Sequence, residues 1–285
     1  MVLYFSDSAD IILIDMTRYF NFTTILYLIV IFFSLECNTA ERKEKSKKWD
    51  LENFPINRNW SSQDKLYPMI LSSLPPNPPR IYTLKPLPLV GNQGVQASGT
   101  AWSVATASSF YFYKKKRVKG YFCSPAFLYN MINNGIDSGI EIFAALDLHK
   151  NTGCPGERYM KYHDRDYTTK PGHKALLKAH DYKIEGFGRV DFSDINQVKG
   201  HLLQYSVVIT TLNVYDNFIE LHNISFKQPV GRYKGRHTVS IVGYDDNRQA
   251  FLIQNSAGKE WGRDGRAYIP YSWFMRLTTS AYVIW

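Results

Sequence analysis

The chain has 285 residues, of which 45% are hydrophobic and 15% are aromatic, and its net charge is +9. This composition excludes general disorder and leaves room for one large domain or two small ones. The positive charge suits a nucleic acid, an anionic membrane surface or simple solubility, and it selects none of them. The densest basic run, residues 114–117 (KKKR), follows an apolar stretch and is interpreted as a solvated helix end. We expect no nucleic-acid partner.

Three cysteines are present, Cys37, Cys123 and Cys154. They exclude a disulfide framework and contain no zinc-type pair. Cys37 lies at the edge of the apolar N-terminal segment, which leaves two cysteines for the folded part. One disulfide or two buried thiols are both open, because sequence spacing does not give the Cα separation that a bridge requires.

An apolar run of 11 residues, ILYLIVIFFSL, occupies positions 25–35. A helix that spans a bilayer needs about 20 residues, so the run favours the core of a signal peptide, with Arg18 as its positive flank and Met16 as a candidate start. Residues 1–40 are predicted to be a signal peptide or membrane anchor, and the protein to be exported, as a secreted or membrane-attached form. Cleavage near Ala40, lipidation of Cys37 and retention as an anchor are the alternatives.

The rest of the chain divides by composition. Residues 41–79 are charged and then proline-rich, which predicts a linker, and residues 80–285 are predicted to be the folded domain. Within it, helices are predicted for residues 98–113, 125–133 (after a Ser124 cap) and 140–150. Strands are predicted for residues 81–89, 206–212, 238–244, 250–254 and 266–269. Helices first and strands later favour an α+β domain.

Two segments more than a hundred residues apart carry the candidate chemistry. The first is GNQGVQASGTAWSVATA, residues 91–107, and the second is GRHTVSIVGYDDNRQAFLIQNSAGKEWGRDGRAYIPYSWF, residues 235–274. In the second segment His237 opens a predicted strand, and Asn255 ends the return strand of a hairpin. Adjacent antiparallel strands bring the two side chains together, and an asparagine that accepts from an imidazole fixes its tautomer and orientation.

These segments resemble the papain family of cysteine peptidases, whose motifs are Q-G-x-C-G-S-C-W-A-F-S, G-H-A-V-x-I-V-G-Y and N-S-W-G-x-x-W-G-x-x-G. The resemblance covers about 200 residues, from Pro88 to the C-terminus. It implies a two-lobed fold, with a helical lobe over residues 94–164 and a β-barrel-like lobe over residues 167–285. It also implies peptide-bond hydrolysis, a peptide or protein ligand in the interlobe cleft, and no cofactor or metal.

The resemblance assigns site positions but departs from the family at the nucleophile. Without a gap, Gln93 takes the oxyanion-hole position, Gly99 takes the position of the nucleophilic cysteine, and His237 and Asn255 complete the triad. A register shifted to match Trp102 places the nucleophile at Ala101 instead. Neither register supplies a thiol. Losing the nucleophile of a triad costs on the order of a million-fold in turnover, or roughly 8 kcal/mol of barrier.

Three functions follow as alternatives. The first is a catalytically inactive homologue that binds peptide in the cleft. The second is an active hydrolase that uses Ser98, Thr100 or a relocated thiol, Cys123 or Cys154. The third is a structural or partner-binding domain whose cleft is filled by side chains such as Trp102 or the pair at positions 121–122.

The motif around Asn255 departs from the family at one further position. Ala257 stands where the family has a tryptophan that shields the histidine–asparagine hydrogen bond, so this pair is expected to be more exposed and weaker.

The segment before the domain is too short for the family's autoinhibitory prosegment, as an inactive protein would allow. The remaining histidines show no metal-ligand spacing and are interpreted as surface or loop residues: His149, His163, His173, His180, His201 and His222.

Overall fold

The computed structural model describes residues 2–5, 11–14, 66–204 and 206–285. The first two ranges form strands β1 (Val2–Phe5) and β2 (Ile11–Ile14), which pair antiparallel. They belong to one compact unit, Met1–Trp49, and the domain belongs to a second, Asp50–Trp285. The apolar run at positions 25–35, Cys37 and the linker up to residue 65 lie outside the described residues. Within the described residues, no helix has both the length and the apolar character needed to cross a membrane.

The first half of the domain is helical, as predicted. Helices α1 (Gly99–Lys114), α2 (Pro125–Ile132) and α3 (Ile142–Asn151) pack against one another. Ser124 caps α2 by accepting a hydrogen bond from the Phe127 backbone N–H at 3.1 Å. Small residues such as Ala101 and Ala105 are fully buried in α1, and they let this helix lie between the other helices and the sheet, which it contacts at strand β6 (Tyr233–Asp245).

The second half of the domain is a twisted antiparallel sheet with short helices. Its strands are ordered β4–β9–β5–β6–β7–β8, and β3 pairs with the far end of β6. The bounds are β3 (Ile81–Thr83), β4 (Phe187–Arg189), β5 (Val208–Tyr215), β7 (Ala250–Gln254), β8 (Arg266–Pro270) and β9 (Thr278–Ile284). The helices are α4 (His173–Ala179), α5 (Ile195–Leu203), α6 (Asp216–Ile219) and α7 (Tyr271–Leu277).

The sequence did not predict β4, β9 or helices α4 to α7. Strand β9 pairs with both β4 and β5, so its place depends on partners far away in sequence. The predicted strand over residues 81–89 is also shorter than expected, since β3 ends at Thr83 and Lys85–Pro86 interrupts it.

Residues 67–72, on the N-terminal side of the predicted domain start, contact the domain directly. The Ile70 backbone N–H donates to Arg189 O at 2.8 Å, and the Ser72 N–H donates to Gln197 Oε1 at 2.7 Å. The Tyr67 ring stacks on Phe143 with centroids 5.6 Å apart. These contacts extend the folded body beyond the predicted start at Arg80.

Two histidines interpreted from the sequence as surface or loop residues are in fact buried in helices. His149 is 0% exposed, and its Nε2 lies 2.5 Å from Ser108 Oγ. His201 is 3% exposed, and its Nε2 lies 3.0 Å from Ile70 O. Burial lowers the pKa of both, in the case of His149 to about 4. The interpretation failed because exposure depends on what packs against a helix, which local composition does not show.

Because the folded state keeps His149 neutral, stability should fall with acidification. Below its ordinary pKa of 6.5 the unfolded chain binds a proton at this residue, while the folded chain does not until about pH 4. Stability is therefore lost as the pH falls through this window, by about 2–3 kcal/mol between pH 7 and 4.5. His149→Gln should remove this part of the pH dependence in urea unfolding. The exposed His173→Gln variant is the control, and equal pH dependence in all three proteins would contradict the prediction.

Candidate active site

Helix α1 begins at Gly99, and its first residue faces the sheet. A Cβ placed on Gly99 would lie 2.8 Å from His237 Cε1 and 3.1 Å from His237 Nδ1. It would also lie 3.0 Å from Gln93 Oε1. A side chain at this position would therefore point directly at the imidazole, from the positive end of a 16-residue helix.

The imidazole of His237 is held by Asn255 across two neighbouring strands. Strand β6 pairs with β7 in the register Ser240 with Gln254, and Asn255 follows the end of β7, diagonally across from His237. The His237 Nε2–H donates to Asn255 Oδ1 at 2.6 Å, and the same oxygen accepts from the Ser256 backbone N–H at 2.8 Å. The proton on Nε2 leaves Nδ1 as the nitrogen that faces Gly99. His237 lies within β6. The sequence had suggested instead that this residue opens the strand.

The expectation that the pair would be exposed without the family tryptophan is wrong. His237 is 6% exposed and Asn255 is 5% exposed. Burial lowers the pKa of His237 to about 4, against a smaller opposite effect of the hydrogen bond to Asn255. At neutral pH the imidazole is therefore uncharged and is a proton acceptor at Nδ1.

An aromatic cluster around the imidazole provides part of this shielding. Phe218, in α6, packs edge-on against the His237 ring at 6.3 Å between centroids. Behind it stand Trp261 at 5.1 Å and Phe226 at 5.7 Å from the Phe218 ring. The Trp261 Nε1–H donates to Phe218 O at 2.7 Å and fixes the short helix. Nothing in the sequence pointed to Phe218, because a single phenylalanine after a strand is usually a core residue.

Removing the Phe218 ring should raise the pKa of His237. Phe218→Ala readmits water beside the imidazole, which stabilises its charged form, so we expect a rise of about one unit or more from about 4. The measurement is an NMR titration of the histidine side chains. Phe226→Ala is the matched control, since it removes an equal ring that contacts Phe218 and is one step further from the imidazole. An unchanged titration in Phe218→Ala would show that other groups exclude the water.

Gln93 lies beside the same point but is fully engaged with its neighbours. Its Oε1 accepts from Ser256 Oγ at 2.6 Å, and its Nε2–H donates to Gln96 O at 2.8 Å. The Gln93 backbone N–H donates to Ser256 O at 2.8 Å, and its carbonyl accepts from the Tyr162 hydroxyl at 2.8 Å. Gln93 is 1% exposed. Ser256 and Tyr162 thus clamp the residue, and the sequence analysis assigned neither of them this role.

The hydroxyls that flank Gly99 are engaged elsewhere. Ser98 Oγ lies 2.6 Å from the Tyr162 hydroxyl, and Thr100 Oγ1 lies 3.0 Å from Thr238 Oγ1. Ser98 is 0% exposed and Thr100 is 7% exposed. Ala101, the nucleophile position in the shifted register, is also 0% exposed. One residue along a helix turns a side chain by about 100°, so Ser98 and Thr100 do not share the direction of Gly99.

Cys123 and Cys154 form a disulfide, with Cα atoms 5.6 Å apart, and both are fully buried. This settles the alternative left open by the sequence. A bonded cysteine has no thiolate, so neither residue is a relocated nucleophile while the bridge is intact. Within the described residues, no group of three or more His, Cys, Asp or Glu side chains is placed to hold a metal ion.

The comparison with family models decides the family. The model described as papain family cysteine protease matches residues 85–276, about two thirds of the chain. The chain belongs to this family. An uncharacterised peptidase C1-like protein of Acanthamoeba polyphaga mimivirus is 27% identical over 203 residues, covering 64% of each chain. A cathepsin B-like protein of Giardia intestinalis is 29% identical over 122 residues, covering 40% of each. The chain thus covers less than two thirds of the length of these relatives.

Solved structures show the same papain-like fold. Xylellain, a cysteine protease from Xylella fastidiosa, superposes with a TM-score of 0.71 at 24% identity, over 81% of this chain and 95% of that one. A cysteine protease of Carica candamarcensis in complex with E-64 superposes with a TM-score of 0.58 at 20% identity, over 72% and 98%. The predicted α+β, papain-like class is therefore confirmed. In this papain-family chain the helical half carries Gly99 and the sheet carries His237, on facing surfaces.

Proposed function

We propose that this protein is a papain-family homologue that does not hydrolyse peptide bonds and binds a peptide segment in an interlobe cleft beside Gly99. The observation that carries the proposal is the geometry at Gly99. The start of helix α1, the imidazole of His237 and Asn255 surround position 99, where glycine has only a hydrogen atom in place of a side chain. We assign Gly99 to the nucleophile position and Gln93 to the oxyanion-hole position.

The protonation state of His237 supports an inactive site. In the family's chemistry an imidazolium stabilises a thiolate at a helix N-terminus. Here no thiolate faces the ring, and burial lowers the pKa of His237 to about 4. The hydroxyls of Ser98 and Thr100 are hydrogen-bonded to Tyr162 and Thr238, which argues against either one as a substitute nucleophile.

The buried state of Gln93 and His237 favours a second candidate, a partner-binding domain whose cleft is filled. Its sequence-based version named Trp102 and residues 121–122 as the filling groups. Trp102 packs inside the helical half, 4.8 Å from Tyr162 and 6.0 Å from Phe122 between ring centroids. This places the ring in the core of that half, so we retain peptide binding as the main proposal.

The test combines turnover with binding. The purified protein is incubated with a fluorogenic peptide library between pH 4 and 8, with an active papain-family protease as the positive control, and is then titrated with the same peptides. We expect no turnover, saturable binding of a subset, and loss of that binding in Gly99→Leu, whose side chain would fill the point beside His237. Lys150→Leu on the exposed face of α3 is the control. Turnover that disappears in His237→Ala would overturn the inactive assignment, and no binding of any peptide would favour the filled cleft.

A further inference from the structure

A recess on the helical half, separate from Gly99, has fixed walls. It has a volume of about 180 Å³ and is lined by residues 119–122, residues 156–159 and Tyr182. The two segments run side by side, since Cys123 pairs with Gly156 and the Glu157 N–H donates to Phe122 O at 2.8 Å. The disulfide between Cys123 and Cys154 joins them covalently. The recess is therefore preorganised for a ligand.

Three tyrosines line the recess, Tyr121, Tyr159 and Tyr182. The Tyr121 and Tyr182 rings stack with centroids 4.1 Å apart and an angle of 11° between their planes. The Tyr121 hydroxyl donates to Cys154 O at 2.9 Å, which holds that ring in place. Tyr159 also lines the recess. Tyr121 and Tyr182 cover one face of each other, so a ligand would meet the remaining ring faces and edges, which pack against the apolar C–H face of a sugar or against another ring.

Gly156 keeps the recess open although its backbone does not require glycine. Its φ of −62° and ψ of 148° are an extended conformation that any residue adopts. A Cβ placed there would lie 3.8 Å from Tyr121 Cδ2 and 4.0 Å from Tyr159 Cδ2, at ordinary contact distance between the two rings. A larger side chain would project into the space between them. Glycine at this position thus keeps the recess open, and the backbone conformation does not require it.

Positive charge borders the recess. Lys119 and Arg158 line it and are exposed. The Arg158 guanidinium lies 4.9 Å and the Lys174 ammonium 5.8 Å from the Tyr159 ring centroid. The basic run at the end of α1 immediately precedes this wall, and within it Lys116 pairs with Glu185. Glu157 is a carboxylate in the lining and can accept hydrogen bonds from ligand hydroxyls.

We propose that this recess binds a sugar ring that carries a sulfate or phosphate ester. The lining tyrosines take the C–H face of the ring, Glu157 accepts from its hydroxyls, and Lys119 with Arg158 binds the tetrahedral oxyanion. The volume is many times the roughly 10–15 Å³ that one water molecule requires by the same measure, so a small ring has room in the recess. The site does not depend on peptide binding in the cleft, so the two proposals succeed or fail separately.

The experiment titrates the full chain with glucosamine 6-sulfate, glucose 6-phosphate and uncharged glucose, by isothermal calorimetry and by chemical-shift changes. Saturable binding of at least one ester, at least tenfold tighter than glucose, is expected. The two ester arms separate a sulfated from a phosphorylated source. Absence of saturation by both esters up to about a tenfold molar excess of ester over protein, or equal binding of glucose, would overturn the proposal.

Variants locate the binding. Gly156→Val fills the recess with a backbone-compatible side chain and should weaken binding at least tenfold, with an unchanged melting temperature as evidence of an intact fold. Arg158→Gln should weaken the esters and leave glucose unaffected. Lys227→Gln removes one exposed positive charge from the sheet half and should change neither. Equal affinity of the wild type and Gly156→Val would show that any anion binds elsewhere on the basic surface.

Discussion

Gly99→Cys should produce a thiol that reacts with iodoacetamide at least tenfold faster than an exposed cysteine at pH 6. The side chain would start 3.1 Å from His237 Nδ1 at its Cβ, and it would lie at the N-terminus of α1, where the helix dipole favours an anion. The helix dipole lowers the pKa of a thiol, and the neutral imidazole can accept the thiol proton at Nδ1, so both favour the thiolate; an ordinary thiol of pKa near 8.5 is less than about 1% ionised at that pH. The imidazole has to yield by a few tenths of an ångström, because Cβ would otherwise approach Cε1 to 2.8 Å.

The controls separate the site from simple exposure. All variants are made in a Cys37→Ser background, so that the introduced thiol is the single free one when Cys123 and Cys154 remain bonded. Lys150→Cys on α3 gives the rate of an exposed helical thiol, and Gly99→Cys with His237→Ala tests dependence on the imidazole. If the double variant reacts as fast as Gly99→Cys, the imidazole does not activate this position. If Gly99→Cys reacts no faster than Lys150→Cys, the site is not preserved.

Peptide turnover is a more demanding outcome of the same substitution. The amide of Gln93 is tied to Ser256 Oγ through Oε1 and to Gln96 O through Nε2. A stabilising donor for the oxyanion has to point at the place where the charge develops. We therefore expect Gly99→Cys to recover thiol reactivity without a comparable recovery of peptide hydrolysis. Measuring single-turnover acylation beside steady-state cleavage would distinguish the two.

Replacing both members of the disulfide should cost about 3–4 kcal/mol of unfolding free energy. Cys123 and Cys154 are separated by 31 residues, and closing a loop of that size in the unfolded chain gives a stabilisation of this order in the chain-entropy account. Both side chains are fully buried, so serine at both positions adds a smaller cost of burying hydroxyls. The measurement is urea unfolding of Cys123→Ser/Cys154→Ser beside the wild type and Cys37→Ser. A loss below 1 kcal/mol would show that the unfolded chain gains little freedom.

Part of the site around Gly99 could be predicted from local sequence alone. The proximity of His237 and Asn255 could be predicted because the hairpin brings the two strands side by side, although the 2.6 Å hydrogen bond runs diagonally to a register in which Ser240 faces Gln254. The start of α1 could be predicted from a run of small residues after Ser98. The position of Gln93 could be assigned only through the family resemblance, since its partner Ser256 is 163 residues away.

The wrong sequence-based expectations have a common cause. The His237–Asn255 pair was expected to be more exposed because one tryptophan is lost, whereas Phe218 of α6 covers the imidazole. His149 was expected on the surface, whereas that residue is fully buried beside Ser108. In both cases the deciding neighbour comes from another element, and composition contains no record of that contact.

The sequence by itself determined the family, the division into a helical half and a strand half, and the absence of a thiol at the start of α1, because motifs and periodicity are local properties of the chain. Only the tertiary structure decided that Cys123 and Cys154 are bonded, that His237 is buried behind Phe218, and that Gly156 opens a recess between tyrosines. Each of these depends on distances between segments remote in sequence, which are set by packing and by strand register and not by any one stretch of residues.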